Sequence, residues 1–164
     1  MDILALWQRL SPRPGGRWLF TRLVCLKAPY FASIAPRVDV LEPGRGEASL
    51  RQRRRTSNHI GTVHAIALCN RAELVGGLTC DASLPKGMRW IPKGMQVQYL
   101  AKARGRMHAV ATPEFMPEMA EVGYALPMDV SVHDDKDTEV FRAASTCGSR
   151  LRVERRWNRS SGVG

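Results

Sequence analysis

The pattern of apolar and polar positions is most unusual between Asn58 and Gly77, where nearly every position after His64 is apolar or small. A pattern of this kind over four turns predicts a helix without a solvent face, which other parts of the fold must surround. Glu73 interrupts it, and the helical period places this acid on one face with Asn70 and Gly77. An acid in that position must either find a partner or take part in chemistry.

Two shorter helical patterns precede this segment. Apolar residues recur at helical spacing in both, at Ile3, Leu6, Trp7 and Leu10, and then at Leu19, Leu23 and Leu26. The first helix is expected to stop at Ser11-Pro12 and the second before Pro29. Three roles remain open for this pair: covering a sheet edge, capping a pocket, or lying on a membrane surface, which the accompanying arginines favour.

The remaining segments alternate with a period of two, which is typical of strands. They are residues 37–40, 47–54, 88–102, 106–112, 122–132 and 138–146. Proline donates no ladder hydrogen bond, so a bulge or break is expected near Pro92-Lys93-Gly94. Two strands, one buried helix and four more strands predict an α+β fold, with an antiparallel sheet of about six strands wrapped around one central helix.

Composition places limits on this picture. A chain of 164 residues can bury a sizeable core as one domain. It contains no run of 18 apolar residues and no convincing signal peptide, so we expect a cytoplasmic protein. The four cysteines form no CxxC pair, which argues against a zinc site or a disulfide framework.

The net charge of +10 is concentrated in two stretches, residues 51–55 and 150–159, each of which carries a net +4. Such clusters attract polyanions such as DNA, anionic lipid or the phosphates of a nucleotide cofactor, and they also occur as solvated surface. No helix-turn-helix, zinc finger or aromatic-studded basic strand is present, so a specific nucleic-acid partner is not expected. Peripheral membrane contact remains an alternative.

Asn58, Gly61, His64 and Glu73, followed by Gly76-Gly77, resemble the signature of hotdog-fold acyl-CoA thioesterases of the phenylacetic-acid-pathway type. The match is to an uncharacterised bacterial branch of that superfamily, and residues 88–103 are similar to the strand after its helix. The resemblance covers roughly residues 30–146. It therefore divides the chain into an N-terminal helical extension (1–29), a hotdog domain (30–146) and a basic C-terminal tail (147–164), expected to be disordered.

The resemblance implies a homodimer, often paired into a homotetramer, with two active sites at each dimer interface. Glu73 takes the position of the catalytic nucleophile or general base. Gly61 and the backbone N–H groups of Ala65 and Ile66 would bind the substrate and the developing oxyanion. Asn58 and His64, from the same loop or from the partner subunit, would orient the water or the thioester. Coenzyme A enters as part of the substrate, and no cofactor or metal is expected.

The 3′-phosphate and diphosphate of coenzyme A require cations near a pocket mouth. Four residues on or beside the strands after the helix are candidates, namely Arg89, Lys93, Lys102 and Arg104. The alternative is that these residues are simply the solvated faces of their strands.

Some features favour a second function, a non-catalytic hotdog module that binds an acyl chain or acyl thioester. Ala65 and Ile66 occupy positions where many family members have two glycines, and their bulk restricts the approach of a carbonyl. The serine or threonine that some members place on the facing strand has no counterpart near Pro92 and Lys93. Structural roles also remain open: Glu73 as a paired acid, His64 as a helix cap and Asn58 as a turn residue.

Overall fold

The computed structural model describes residues 2–151 as three α-helices and six strands. The helices are α1 (Ile3–Leu10), α2 (Gly16–Lys27) and α3 (Ala65–Ser83), and short 3-10 turns lie at Pro29–Ile34 and Arg54–Thr56. The strands are β1 (Arg37–Glu42), β2 (Arg45–Arg51), β3 (Met88–Tyr99), β4 (Arg106–Pro113), β5 (Ala125–His133) and β6 (Glu139–Leu151). They form one sheet in the order β1-β2-β4-β5-β6-β3, with every neighbouring pair antiparallel. The predicted α+β architecture is confirmed.

Helix α3 lies against the inner face of this sheet, as its apolar sequence requires. The sheet residues beneath it are small, which lets the helix approach the strands closely: Ala48, Ala109, Ala111 and Ala143. Its other flank is covered by the N-terminal helices, whose Trp7 and Phe20 pack in one cluster with Leu74 and Leu78. After the first turn of α3, Glu73 and Asp81 are its exposed residues.

A fully buried arginine ties α3 to the sheet. The Nη2 atom of Arg71 donates to the backbone carbonyls of Ala48 on β2 and Met107 on β4, the latter at 2.7 Å. Within residues 2–151 no carboxylate lies within ion-pair distance of it, and its Nε and Nη1 atoms have no hydrogen-bond partner. Burial lowers the pKa of Arg71 to about 9, and the charge of Asp39 opposes part of that shift.

Helix α2 covers the edge of the sheet, one of the three roles that the sequence left open. The backbone N–H of Val38, on edge strand β1, donates to Thr21 Oγ1 at 3.1 Å. A donor that would otherwise have no partner at the edge is thereby satisfied. No helix within residues 2–151 has the length and apolar character needed to cross a bilayer.

Each strand has at least one boundary that differs from prediction: β2 ends at Arg51 instead of 54, β3 ends at Tyr99 instead of 102, and the largest difference is at the end of β6. Strand β6 continues to Leu151, so the predicted tail boundary at 147 falls inside a strand; residues 152–164 lie outside the described residues. The extension is held by Ser149, whose N–H and Oγ both donate to the Tyr124 carbonyl at 2.8 and 2.9 Å. Strand β5 begins at Ala125 instead of 122.

One irregularity agrees with prediction. The register of β3 shifts between Pro92 and Gly94, which confirms the expected bulge.

We predict that Gly46→Ala destabilises the fold by about 1 to 3 kcal/mol, the usual cost of overpacking a core. A Cβ at this position would lie 2.1 Å from Thr79 Oγ1, which donates to the Val75 carbonyl and has little freedom to move. Gly94→Ala is the matched control, because nothing lies within 4 Å of a Cβ there. Urea unfolding followed by circular dichroism measures both, and equal stability of the two variants would contradict the close approach of α3 to β2.

Candidate active site

The start of α3 is capped by His64. This residue has extended backbone angles (φ −65°, ψ 136°), and its Nδ1 atom accepts a hydrogen bond from the Ile66 N–H at 3.1 Å. A ring nitrogen that accepts a hydrogen bond carries no proton, so the neutral imidazole has its proton on Nε2. The side chain is exposed, which leaves Nε2–H able to donate to a ligand.

The cap changes which backbone groups can hold an oxyanion. The Ile66 N–H is engaged by His64, so the expectation that Ile66 acts as an oxyanion donor does not fit this conformation. The Ala65 N–H makes no hydrogen bond within the part of the chain that the structure describes. It belongs to the first turn of a 19-residue helix, where donors lack intrahelical partners and the helix dipole favours negative charge. Ala65 is therefore the available donor at this helix start.

Asn58 closes the loop before the helix. Its Oδ1 atom accepts from the N–H groups of Ile60 and Thr62 at 3.1 and 3.0 Å, and its Nδ2 atom donates to Thr62 Oγ1 at 2.8 Å. Gly61 completes the turn with φ +74°, donating its N–H to the Asn58 carbonyl and accepting at its own carbonyl from Gln52 Nε2. In this conformation both residues shape the loop that presents His64.

Glu73 lines a separate cavity of about 290 Å³ at the bulge of β3. The cavity is formed with Pro92, Lys93, Gly94 and Met95 of β3 and Ser145 of β6. Within residues 2–151 the Glu73 carboxylate makes no hydrogen bond and no ion pair. Arg71 is directed at the sheet instead, so it is not the partner of a structural Glu73. The carboxylate is exposed and free to act on a ligand.

Sequence reasoning missed Ser145. Its side chain is buried, lines the Glu73 cavity and makes no hydrogen bond within the described residues. The sequence offers no serine or threonine near Pro92 and Lys93 on β3, but the neighbouring strand β6 places Ser145 opposite Met95. The available signal was a hydroxyl at an inward position of β6, between the buried Ala143 and Cys147.

The four cationic residues that were candidates for binding coenzyme A fall into two groups. Lys93 lies at the Glu73 cavity and Arg89 is further back on β3, directly opposite Arg150. Lys102 and Arg104 flank Ala103, whose carbonyl accepts the Val63 N–H at 2.8 Å, so they lie beside the loop that precedes α3. No single patch in one chain contains all four.

The two parts of the site are separated along α3. Glu73 follows His64 by nine positions, which at 1.5 Å per residue is about 13 Å along the axis. One chain therefore cannot bring the His64–Ala65 end and the Glu73 carboxylate to the same carbonyl group. Strand β3, which borders the Glu73 cavity, is an edge strand that pairs only with β6 among the described strands, and it exposes half of Ile91 and Tyr99.

Comparison with known proteins places this geometry in a family. Residues 16–148 match the family model DUF4442, a domain of unknown function. A protein solved by structural genomics under the name APC5556 is 41% identical, with a TM-score of 0.79, over 93% of this chain and 100% of its own. No curated protein gives a significant match.

More distant structures show the fold. The thioesterase HI1161 from Haemophilus influenzae is 16% identical over 77% of this chain and 86% of its own, with a TM-score of 0.68. The thioesterase SAV0944 from Staphylococcus aureus is 15% identical over 74% of this chain and 98% of its own, with a TM-score of 0.63. These likenesses confirm the predicted hotdog fold.

We predict that His64→Ala lowers the free energy of unfolding by about 1 kcal/mol, the usual cost of losing an N-cap. His64→Ser should restore that stability, because a serine hydroxyl is a preferred cap, while still removing the imidazole. Denaturant unfolding of the three proteins measures the difference. An alanine variant as stable as the wild type would show that Nδ1 does not cap the helix.

Proposed function

The chain belongs to the DUF4442 family, and from its site geometry we propose that it is a thioesterase that hydrolyses an acyl-CoA thioester. The observation that carries the proposal is Glu73, a carboxylate without a partner in residues 2–151 that opens into a cavity from an otherwise buried helix. The thioesterases HI1161 and SAV0944 share the fold and support this class of reaction.

We propose that the complete site forms between two chains. The exposed edge of β3 offers unpaired backbone groups along 12 residues, which suits antiparallel pairing with a second copy. In this arrangement the start of α3 from one protomer, with His64 and Ala65, faces Glu73 of the partner subunit. The 13 Å gap within one chain then no longer separates the oxyanion donor from the base.

The chemistry follows from these groups. The Glu73 carboxylate takes a proton from water while the water oxygen bonds to the thioester carbonyl carbon. The Ala65 N–H, at a helix start, stabilises the negative charge that develops on the carbonyl oxygen, and His64 Nε2–H donates to the same thioester. The C–S bond then breaks, and the thiolate of coenzyme A leaves and takes up the proton from Glu73. The Ser145 hydroxyl positions the water or the carboxylate.

A second candidate function is a binding module for acyl thioesters without turnover. Ile66 supports it, because its side chain is 54% exposed directly beside the proposed oxyanion donor. A side chain at this point restricts how closely a carbonyl can approach the backbone. The same scaffold would then hold the thioester without activating it.

We predict that Glu73→Gln lowers free-thiol release from acyl-CoA substrates by about 10²- to 10⁴-fold, the usual range for losing a general base. A panel of short, medium, long and aryl acyl-CoAs supplies the substrate. Asp81→Asn is the matched control, since it removes another exposed carboxylate from the same helix and should keep nearly full activity. If the wild type binds acyl-CoA without releasing thiol, the module is the correct function; if Glu73→Gln remains fully active, the assigned base is wrong.

We predict that His64→Ala lowers thiol release as Glu73→Gln does, because each removes one part of the shared site, and that the two variants complement each other. When two protomers share each site, a mixed dimer retains one intact site, built from His64 of the Glu73→Gln chain and Glu73 of the His64→Ala chain. After unfolding and refolding an equal mixture, about a quarter of wild-type activity should return, because about half of the dimers are mixed. Activity no higher than the sum of the separate variants would show that the two groups do not meet across the interface.

A further inference from the structure

A second cavity, of about 450 Å³, lies away from Glu73 and shares no lining residue with the Glu73 cavity. Helix α2, the start of β1, the end of β2 and the start of β4 form it together with the segment after β2. Six arginines line it, namely Arg22, Arg37, Arg51, Arg53, Arg55 and Arg106, and no aspartate or glutamate does. We call it the arginine cavity.

The positions of these arginines follow from the sheet register. Arg37 stands opposite Ser49 and Arg51 stands opposite Arg106, so the four residues share the outer face, away from α3. Like charges directly opposite each other on neighbouring strands are unfavourable. The pairing of Arg51 with Arg106 therefore carries a cost that a bound anion would reduce.

The charge of the cavity is almost uncompensated. Among residues 2–151 only one of the six guanidinium groups, that of Arg37, forms an ion pair within 4 Å, with Asp39 at 3.0 Å. The Asp135 carboxylate is also nearby, but it accepts from the backbone N–H of Arg106 and not from its guanidinium. The remaining five leave their guanidinium donors to solvent or to a ligand. Guanidinium groups match phosphate oxygens in geometry as well as in charge.

Other lining groups complete a site for a small phosphorylated molecule. The Ser49 hydroxyl makes no hydrogen bond within the described part of the chain, which leaves it available to a phosphate oxygen. Trp18 is 66% exposed at the same cavity and its ring lies 6.0 Å from the Arg22 guanidinium carbon, a surface on which a flat ring can stack. The volume lies within the range of small-molecule sites.

We propose that the arginine cavity binds the phosphate groups of a ligand that carries two or more of them. The inference does not depend on thioester hydrolysis, because it rests on residues outside the Glu73 cavity and the start of α3. Two sources share this chemistry, the nucleotide end of a coenzyme A derivative and an anionic lipid surface, which presents several phosphate headgroups side by side.

The test is calorimetric titration with inorganic pyrophosphate at low salt. Wild type should bind saturably, and Arg51→Gln/Arg106→Gln should bind at least about tenfold more weakly, since it removes two charge-assisted partners. Arg9→Gln/Arg13→Gln removes the same charge from exposed positions outside the cavity, and its affinity for pyrophosphate should stay within about twofold of wild type.

The Arg51→Gln/Arg106→Gln variant should fold at least as stably as wild type, because it removes a like-charge pair. Arg22→Gln/Arg55→Gln should weaken binding in the same way, and it keeps the test valid if the first variant does not fold.

Two results would overturn the proposal: no saturable pyrophosphate binding by wild type, or an equal loss in the Arg9/Arg13 control, which would indicate a diffuse charge effect. Two further titrations identify the source. Displacement of pyrophosphate by coenzyme A, but less well by dephospho-coenzyme A, supports the nucleotide. Binding to phosphatidylglycerol vesicles and not to phosphatidylcholine vesicles, lost in the Arg51→Gln/Arg106→Gln variant, supports lipid headgroups.

Discussion

The close approach of α3 to the sheet is the constraint on which the rest of this structure depends. Alanines at the inner positions of β2, β4 and β6, together with Gly46, let the helix backbone come near the strands. A helix held in this way buries its sheet-facing side, but its apolar outer flank still needs cover. The N-terminal helices provide it through Trp7 and Phe20, so they belong to the packing of the hotdog core.

The same packing decides which polar groups α3 can carry. Arg71 is accepted in the core because two strand carbonyls receive its donors, although a guanidinium without a carboxylate is costly to bury. Glu73 has no such partner within the described residues, and it is accommodated because the β3 bulge opens the sheet beside it. The bulge therefore turns a carboxylate that would be unfavourable in the core into one that meets solvent and lines a cavity.

The sequence predicted the features that depend on local patterns. The apolar period indicated α3 and six strands, proline placed the bulge, and the spacing of Asn58, His64 and Glu73 carried the resemblance to thioesterases. It did not decide between roles that depend on which group a side chain reaches. The sequence left a helix cap open for His64 and a turn role open for Asn58, and the hydrogen bonds to Ile66 and Thr62 show these roles. Ser145 was not predicted, because it comes from β6 through a register that no local pattern specifies. Strand β6 extends beyond its predicted end. The prediction stopped early because Ala, Ser, Cys and Gly have little preference for strands, although they pack well at these positions.

The location of charge explains why composition alone was ambiguous about a polyanionic partner. Residues 51–55 read as a linear basic stretch, but the fold brings Arg51, Arg53 and Arg55 together with arginines of α2, β1 and β4 around one concavity. A duplex presents its phosphates along an extended, regular path, which suits a basic stripe or a helix on a convex surface. Converging guanidinium groups around 450 Å³ instead match a compact ligand whose phosphates lie close together. The arginine cavity shares no lining residue with the Glu73 cavity, so an anion bound there contacts none of the groups around Glu73.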